Sequence, residues 1–297
     1  MYHYRMNIYI FSLNSRIYST SRLVEEAYLA GHDVRVVNHT QCSVLIGNES
    51  PYVYYKGENI INKADVIIPR IGASVSRHGA AIVKQFEMNG VFSTARSLGI
   101  LRAHNKLRTL QILNRKHIPI PKTVFSIDPN NIDEQIELLG QMPVIIKLQE
   151  GTQGLGVILA ESKKSAKSII DTFYNINANI LLQEFIEESN GEDIRAFVVG
   201  NRIVAAMKRS GGEGEFRSNV HRGGSTENVR LTNKEKKMAL RAAGHLGLPV
   251  AGVDMIRSKR GPLLIEVNAS PGLQGIEAAT GVNIAGEIIK FVEKNVR

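Results

Sequence analysis

Cysteine is almost absent from this chain, since Cys42 is the only one among 297 residues. A single cysteine excludes an internal disulfide framework and a metal site built on cysteine thiolates. No apolar run approaches the roughly 20 residues of a bilayer-spanning helix. The start, MYHYRMNIYIFSL, lacks the long apolar core and the small-residue cleavage site of a secretory signal. These absences favour a cytoplasmic protein that does not enter a membrane.

Positive charge exceeds negative charge without being concentrated anywhere. Lysine and arginine total 37 against 28 acidic residues, which gives a formal net charge of +9. The excess favours anionic partners such as nucleotides, acidic peptides or an RNA-rich particle, and simple solubility explains it equally well. No basic block with interleaved aromatic residues is present, so we expect no dedicated nucleic-acid surface and no direct DNA binding.

The first third of the chain alternates buried strands with helices. Strands are predicted over residues 6–13, 32–38 and 64–72, and a helix over 20–31 that serine or threonine can cap and Gly31 can end. This order is typical of a small parallel sheet with right-handed crossovers, so we predict an α/β domain over residues 1–96.

Arg70 stands at the end of the third predicted strand, in the stretch Pro69-Arg70-Ile71-Gly72. Parallel sheets place their binding crevice at such strand ends. Arg70 is therefore a candidate for contacting an anionic substrate. Supporting a surface loop is an equally good explanation.

The remaining two thirds combine α and β segments in another order. Helical sequence is predicted over 95–117, 130–142, 232–247 and 283–295, and strands over 143–149, 157–162, 180–187, 193–200 and 202–209. Glycine-rich or polar connections separate most of these strands, as in antiparallel meanders. We predict a central domain over 97–183 and a C-terminal domain over 184–297, both of α+β character.

The stretch EGTQGLG, residues 150–156, has three glycines in seven positions. It is neither a Walker A loop nor a dinucleotide-binding fingerprint. Because an apolar strand follows it, we interpret it as a flap between antiparallel strands whose backbone N–H groups can close over phosphate; an ordinary hairpin tip is the alternative. Lys147, in the apolar strand before the flap, favours the phosphate because a buried lysine is costly without an anion.

A candidate metal site lies in VDMIRSKRGPLLIEVNASPG, residues 253–272. If Ser258 pairs with Pro262 around a three-residue turn with Gly261 in the left-handed region, Asp254 lies opposite Glu266. The two-residue period of a strand then places Asn268 on the same face. Two carboxylates and an amide oxygen suit Mg²⁺ or Mn²⁺ held with substrate phosphates. Neutralisation of the acids by lysine or arginine on a solvated face is the alternative.

A further glycine-rich segment, residues 207–225, carries four cations. They are Lys208, Arg209, Arg217 and Arg222. We interpret the segment as a loop that stabilises transferring phosphate and a substrate carboxylate, with a mobile surface loop as the alternative.

Together these motifs resemble the ATP-grasp superfamily, and more closely its RimK branch, whose members add glutamate to the C-terminus of a small-subunit ribosomal protein. The motifs are EGTQGLG, LLQEFIEE, EFRSNVHRGG, GVDMIR and LIEVNASPGLQGIE, with PRIG and KQFEM in the N-terminal domain. The similarity extends from Met6 to the end of the chain, so residues 1–5 are expected to be an extension or to follow a misassigned start.

The resemblance implies an ATP-dependent carboxylate-amine ligase in which ATP phosphorylates an acceptor carboxylate and the amine of free glutamate attacks the acyl phosphate. It implies that Asp254, Glu266 and Asn268 bind two Mg²⁺ or Mn²⁺ ions, and that Arg217 and Asn219 act in catalysis. The residues implied for ATP are Lys106, Lys147, Gly151, Gly154, Gly156, Glu184 and Phe185 at the base, Asp193 at the ribose, and Arg217, Ser218 and Asn219 at the phosphates and substrate. It also implies a homo-oligomer, a tetramer in relatives.

Two other functions remain open at this point. Ligases of the same fold glutamylate a cofactor or a carrier protein, and the nucleotide and metal residues serve all of them alike. A non-catalytic ATP- and RNA-binding protein associated with ribosomes belongs to a different class, and it predicts steeply salt-dependent RNA binding without phosphate release.

Overall fold

The computed structural model describes residues 5–47, 51–126, 131–149, 156–212 and 224–296. The strands are β1 Asn7–Phe11, β2 Asp33–Val37, β3 Cys42–Leu45, β4 Tyr52–Tyr55, β5 Glu58–Asn59, β6 Val66–Pro69, β7 Phe92–Ser93, β8 Thr123–Phe125, β9 Val144–Leu148, β10 Val157–Ala160, β11 Ile180–Glu184, β12 Glu192–Val199, β13 Arg202–Ser210, β14 Ser225–Asn228, β15 Val250–Ser258 and β16 Gly261–Asn268. The helices are α1 Tyr18–Leu29, α2 Ser76–Met88, α3 Ser97–His104, α4 Lys106–Arg115, α5 Ile132–Leu139, α6 Lys163–Asn175, α7 Asn233–Leu246, α8 Gln274–Thr280 and α9 Ile284–Asn295.

The N-terminal strands form the predicted parallel sheet, in the order β2-β1-β6-β7. Strand β1 is central because its side chains from Ile8 to Phe11 are all buried. Helix α1 begins at Tyr18, so the prediction that serine or threonine caps its start was wrong. The extended residue Ile17 precedes it, and the Thr20 hydroxyl instead lies 2.8 Å from the hydroxyl of Ser12. Gly31, with φ +84°, follows the helix end as expected.

A small antiparallel sheet, β3-β4-β5, was not predicted. Strands β4 and β5 are joined by Lys56 and Gly57, both with positive φ. Such a two-residue turn normally carries asparagine or aspartate at its first position. Because lysine occupies that position here, the sequence did not indicate a hairpin.

Two antiparallel sheets make up the rest of the fold, in the orders β10-β9-β11-β8 and β14-β13-β12-β15-β16. The central sheet departs from the predicted meander, because α6 intervenes between β10 and β11. Ser162 and Ser165 form a reciprocal capping box at the start of that helix. The helical stretch 95–117 is divided at Asn105, whose backbone is extended and whose side chain caps α4.

One apolar core joins the N-terminal sheet to the five-stranded sheet. It contains Phe11 of β1, Phe86 of α2, Leu246 of α7 and Met255 of β15, all fully buried. The four-stranded central sheet has a separate core between its strands and helices α5 and α6. None of the described helices is long and apolar enough to cross a membrane.

Two helical glycines provide a matched test of the packing between α3 and α7. A β-carbon on Gly99 would lie 2.9 Å from Leu248 Cδ2 and 3.0 Å from the carbonyl oxygen of Gly247, whereas one on Gly244 would meet no atom within 4 Å. We expect Gly99→Ala to lower the free energy of unfolding by about 1–3 kcal/mol through overpacking. Gly244→Ala should be neutral or stabilise by up to about 1 kcal/mol because alanine favours helix. Chemical denaturation of the two variants checks this, and equal stability would contradict the close approach.

Candidate active site

Strands β15 and β16 place Asp254 opposite Glu266, as predicted, although the turn differs. Ser258 pairs with Gly261 instead of Pro262, so the turn has two residues and not three. A β-bulge between Asp254 and Met255 then shifts the pairing by one residue. The bulge thereby places Asp254 opposite Glu266, as predicted. Gly261 has the expected positive φ, at +103°.

Asn268 lies opposite Gly252, two residues from the Asp254–Glu266 pair, so it shares their face of the sheet. Its Nδ2 atom is 3.3 Å from Asp254 Oδ2. Asp254, Glu266 and Asn268 are therefore adjacent side chains on neighbouring strands. We call them the acidic face.

Asp254 is buried and bound by two arginines from neighbouring strands. Arg195 of β12 donates from Nε and Nη2 to its two carboxylate oxygens at 2.7 and 2.6 Å, and Arg209 of β13 donates from Nη2 at 2.9 Å. Burial alone would raise the pKa of Asp254, but the two guanidinium groups outweigh it and lower that pKa to about 2. The carboxylate is therefore ionised and already lies among cations.

Arg209 also bridges to Asp193, which is its cross-strand partner in β12. Its Nε and Nη2 atoms contact both oxygens of Asp193, at 2.6 and 2.5 Å. Burial would lower the pKa of Arg209, but Asp254 and Asp193 raise it. Lys208 and Arg209 lie within strand β13, which confirms the strand predicted over 202–209, so including them in the loop over 207–225 was wrong. Lys208 contacts Glu192 and Glu227.

Lys147 lies on β9 between Val157 of β10 and Leu181 of β11. Its Nζ donates to Gln183 Oε1 at 2.6 Å, a neutral acceptor. Burial lowers the pKa of Lys147 to about 8, and nearby Glu266 of the acidic face acts in the opposite direction. Lys147 and the acidic face, on different sheets, therefore lie near each other, and we call the space between these two sheets the cleft. Lys106, the first residue of α4, lies close enough to Lys147 to lower its pKa further.

Glu184, the last residue of β11, and Phe185, which follows it, line a cavity of about 230 Å³ with Lys122, Leu139, Gly140 and Gln141. The Glu184 carboxylate accepts the backbone N–H of Lys122 at 2.7 Å and also contacts Arg260, at the tip of the β15–β16 hairpin. The hairpin thus reaches the side of the cavity.

The glycine flap and one glycine-rich loop fall largely outside the described residues. Gly151, Gly154, Arg217, Ser218, Asn219 and Arg222 are in this group. Gly156 is described: its φ is +74°, and a β-carbon there would lie 2.3 Å from Leu148 Cδ1. Strands β9 and β10, which flank the flap, are antiparallel as predicted.

Arg195 and Arg209 neutralise Asp254, as the alternative interpretation expected, although this carboxylate is buried and not on a solvated face. The donor atoms of the acidic face are those that suit a hard divalent cation. No cluster of three histidine, cysteine, aspartate or glutamate side chains that could hold a metal occurs in the described ranges, and the acidic face instead offers two carboxylates and an amide oxygen. Oxygen donors of this kind suit Mg²⁺ or Mn²⁺ rather than zinc. Lys147 fits a phosphate, since its described hydrogen-bond acceptor is uncharged.

Arg195, Gln183 and Arg260 shape this site and were not among the predicted site residues, whereas Arg209 was predicted but with a different role, stabilising phosphate from a loop. Arg195 and Arg209 hold Asp254, Gln183 holds Lys147, and Arg260 holds Glu184. The alternation along β12 and β13 places Arg195 opposite Asp254 and Arg209 opposite Asp193. Only the strand order β13-β12-β15, which the sequence does not supply, could have revealed these pairs.

Family models match two consecutive parts of the chain. The RimK pre-ATP-grasp domain matches residues 6–100, and the RimK-like ATP-grasp domain matches residues 103–292. The chain belongs to the RimK-like ATP-grasp family. The expected family and fold are thereby confirmed.

Curated relatives of this family member carry the name probable alpha-L-glutamate ligase. The protein from Aliivibrio fischeri is 52% identical over 97% of this chain and 96% of its own length. That from Nitrosococcus oceani is also 52% identical, over 98% of this chain and 96% of its own.

Solved structures share the fold at low identity. The RimK domain protein ATP-grasp from Sphaerobacter thermophilus superimposes with a TM-score of 0.74 at 20% identity, covering 96% of this chain and 98% of its own. The ATP-grasp ligase PsnB, solved with a phosphomimetic variant of a minimal precursor, Mg and ADP, gives 0.74 at 18% identity, covering 98% and 99%.

The depressed pKa of Lys147 predicts a pH-dependent affinity for nucleotide. Because only the protonated amine attracts phosphate, we expect ADP affinity to fall as pH rises through about 8. Lys147→Met should bind ADP more weakly, by roughly 1.5–3 kcal/mol, with no such decline. Calorimetric titration between pH 7 and 9.5 measures both. Lys163→Met, which removes an exposed lysine paired with Asp133, is the control and should follow wild type. A flat wild-type profile would contradict the prediction.

The two carboxylates of the acidic face should differ in their effect on stability. Asp254→Asn leaves Arg195 and Arg209 without their shared counter-ion and should lower the free energy of unfolding by roughly 3–5 kcal/mol at neutral pH. Glu266→Gln should change it by less than about 1 kcal/mol.

The sign of the pH dependence follows from the lowered pKa. The stabilisation from Asp254 is present above the unfolded pKa of about 3.9 and is lost as pH falls through the folded pKa of about 2. The stability gap between wild type and Asp254→Asn should therefore narrow below about pH 4. Urea unfolding of wild type and both variants at pH 7 and pH 3 measures this gap. An equal loss of unfolding free energy in Asp254→Asn and Glu266→Gln would show that the arginines do not depend on Asp254.

Proposed function

We propose that this protein is an ATP-dependent ligase that adds L-glutamate to the C-terminal carboxylate of a small-subunit ribosomal protein through an acyl-phosphate intermediate. The observation that carries the proposal is the placement of Asp254, Glu266 and Asn268 side by side on β15 and β16, with Lys147 near Glu266. It brings a phosphate-binding cation and oxygen ligands for a divalent ion to one place. The relatives' name, probable alpha-L-glutamate ligase, supports glutamate as a substrate.

Different residues of this chain would bind different parts of the nucleotide. Lys106 and Lys147 would hold its phosphates, and the backbone around Glu184 and Phe185 would hold the base. The Glu184 carboxylate itself is engaged by Lys122 and Arg260. Asp193 would hold the ribose after giving up part of its contact with Arg209.

Asp254, Glu266 and Asn268 would hold two Mg²⁺ or Mn²⁺ ions. When bound, these ions neutralise the negative charge of the phosphates. A cation at Asp254 would take over part of the charge compensation that Arg195 and Arg209 supply. The planar guanidinium groups would then be able to donate to phosphate oxygens.

The reaction proceeds in two displacements. An oxygen of the acceptor carboxylate attacks the γ-phosphorus, and ADP leaves. The amine of free glutamate then attacks the acyl carbon, inorganic phosphate leaves, and the amine loses a proton as the amide forms. Arg217 and Asn219 are proposed to stabilise the charge that develops, and positioning accounts for most of the rate.

A peptide acceptor is favoured over a cofactor by the structural neighbours, because several ATP-grasp ligases of this shape are solved with precursor peptides. The net charge of +9 suits an acidic C-terminal tail on a ribosomal protein. We propose a cytoplasmic location, where ribosomes are found, and a homotetramer by resemblance to the family.

Intact-mass spectrometry tests the function. Purified small-subunit ribosomal proteins incubated with enzyme, ATP, Mg²⁺ and glutamate should give one protein with added mass in steps of a glutamyl residue, absent without ATP. Glu266→Gln, which should fold normally, should abolish the shift. Glutamate-dependent ADP formation only with a cofactor or carrier protein would replace the acceptor, and no ADP formation with any of them would contradict the ligase.

A further inference from the structure

Arg70 lies where the strand order of the parallel sheet reverses. The chain moves from β1 to β2 on one side and later returns to β6 on the other, so the carboxyl ends of β1 and β6 flank the switch point. The backbone N–H of Arg70, one residue beyond β6, donates to the Phe11 carbonyl at the end of β1 (2.8 Å). Open sheets of this kind bind ligands in the crevice outside such a switch point.

The side chain of Arg70 is fixed by the loop that follows β16. Its Nη2 atom donates to the carbonyl oxygens of Pro271 at 2.6 Å and Ser270 at 3.4 Å. Ser270 Oγ in turn accepts the backbone N–H of Ile71 at 3.1 Å and donates to the carbonyl of Pro69 at 3.3 Å. The guanidinium is therefore held in one orientation before any ligand arrives.

Arg70 has no anionic partner among the residues that the structure describes. Both of its side-chain acceptors there are neutral carbonyls, and both use Nη2. Nε and Nη1 form no hydrogen bond within the described ranges. An enclosed cation is normally paired with an acid, as Arg195 and Arg209 are with Asp254. Burial accordingly lowers the pKa of Arg70 to about 10.

The loop that fixes Arg70 is continuous with the acidic face. Ser270 follows Asn268 by two residues, roughly 7 Å in extended chain. Pro271 packs against Gly252, the residue opposite Asn268, so closely that a β-carbon on Gly252 would lie 2.7 Å from Pro271 Cβ. The crevice beside Arg70 thus opens next to the place where the acyl group would be activated.

We propose that Arg70 binds a carboxylate of the free glutamate that attacks the acyl phosphate. This inference rests on the proposed function. The amine of glutamate reacts while its two carboxylates remain charged throughout, so the site needs a cation for them. The acceptor carboxylate, by contrast, loses its charge to the phosphoryl group. Nη1, which the loop contacts leave over, can donate a charge-assisted hydrogen bond to a carboxylate oxygen.

Calorimetric titration of L-glutamate into the enzyme saturated with Mg²⁺ and ADP tests the inference without turnover. Arg70→Met should weaken glutamate binding by roughly 10- to 100-fold, the range for loss of a charge-assisted hydrogen-bonded partner. Arg70→Lys keeps the charge but cannot contact the loop carbonyls and a carboxylate at the same time, so it should weaken binding by less than Arg70→Met does. Arg202→Met, which removes an exposed arginine paired with Glu287, is the matched control and should bind as wild type does.

Steady-state kinetics distinguishes a role of Arg70 in binding glutamate from a role in supporting the loop after β16. We expect the KM for glutamate to rise in both Arg70 variants while the KM for ATP stays within about threefold of wild type. Unchanged glutamate affinity in Arg70→Lys and Arg70→Met would overturn the inference. So would equal rises in the KM for ATP and glutamate, because these would mean that Arg70 supports only the loop. A wild-type enzyme that neither binds nor consumes glutamate would instead overturn the proposed function.

Discussion

The rest of the site depends on the ionised carboxylate of Asp254, buried within the five-stranded sheet. A buried carboxylate requires positive charge, and Arg195 and Arg209 provide it from two adjacent strands. Asp193 then balances Arg209. These contacts bind β12, β13 and β15 in one polar network, so the geometry of the acidic face is determined by charge compensation.

The cleft owes its form to the way two sheets meet. The central sheet has its own apolar core, while the five-stranded sheet shares a core with the N-terminal domain. Between the two sheets the described contacts include the small apolar cluster of Ile186, Ile256 and Leu263, and the ion pair of Arg260 with Glu184. Polar side chains such as Lys147 can therefore face a space that apolar packing has not filled.

The sequence predicted what repeats locally. The parallel N-terminal strands and the antiparallel strands around the flap follow from strand periodicity and chain order. The opposition of Asp254 and Glu266 was predicted correctly only because an unpredicted bulge offsets the difference in the turn. Helix α6 was not predicted because the third residue of its capping box is Ser165, where the usual signature has glutamate or glutamine. The hairpin at Lys56 was not predicted because lysine is rare in such a turn. The family resemblance supplied the roles of the candidate residues. Contacts between distant strands, such as that of Arg209 with Asp254, require the sheet order and could not be predicted.

The β15–β16 hairpin reaches its register by two departures that compensate each other. The turn is one residue shorter than the regular three-residue turn, and the bulge beside Asp254 takes up the difference. Side chains alternate between faces, so a one-residue slip in the pairing of β15 with β16 would carry Glu266 to the opposite face. A turn of different length keeps the two acids opposed as long as the pairing beside Asp254 is unchanged. The bulge therefore separates the register of the acids from the length of the turn.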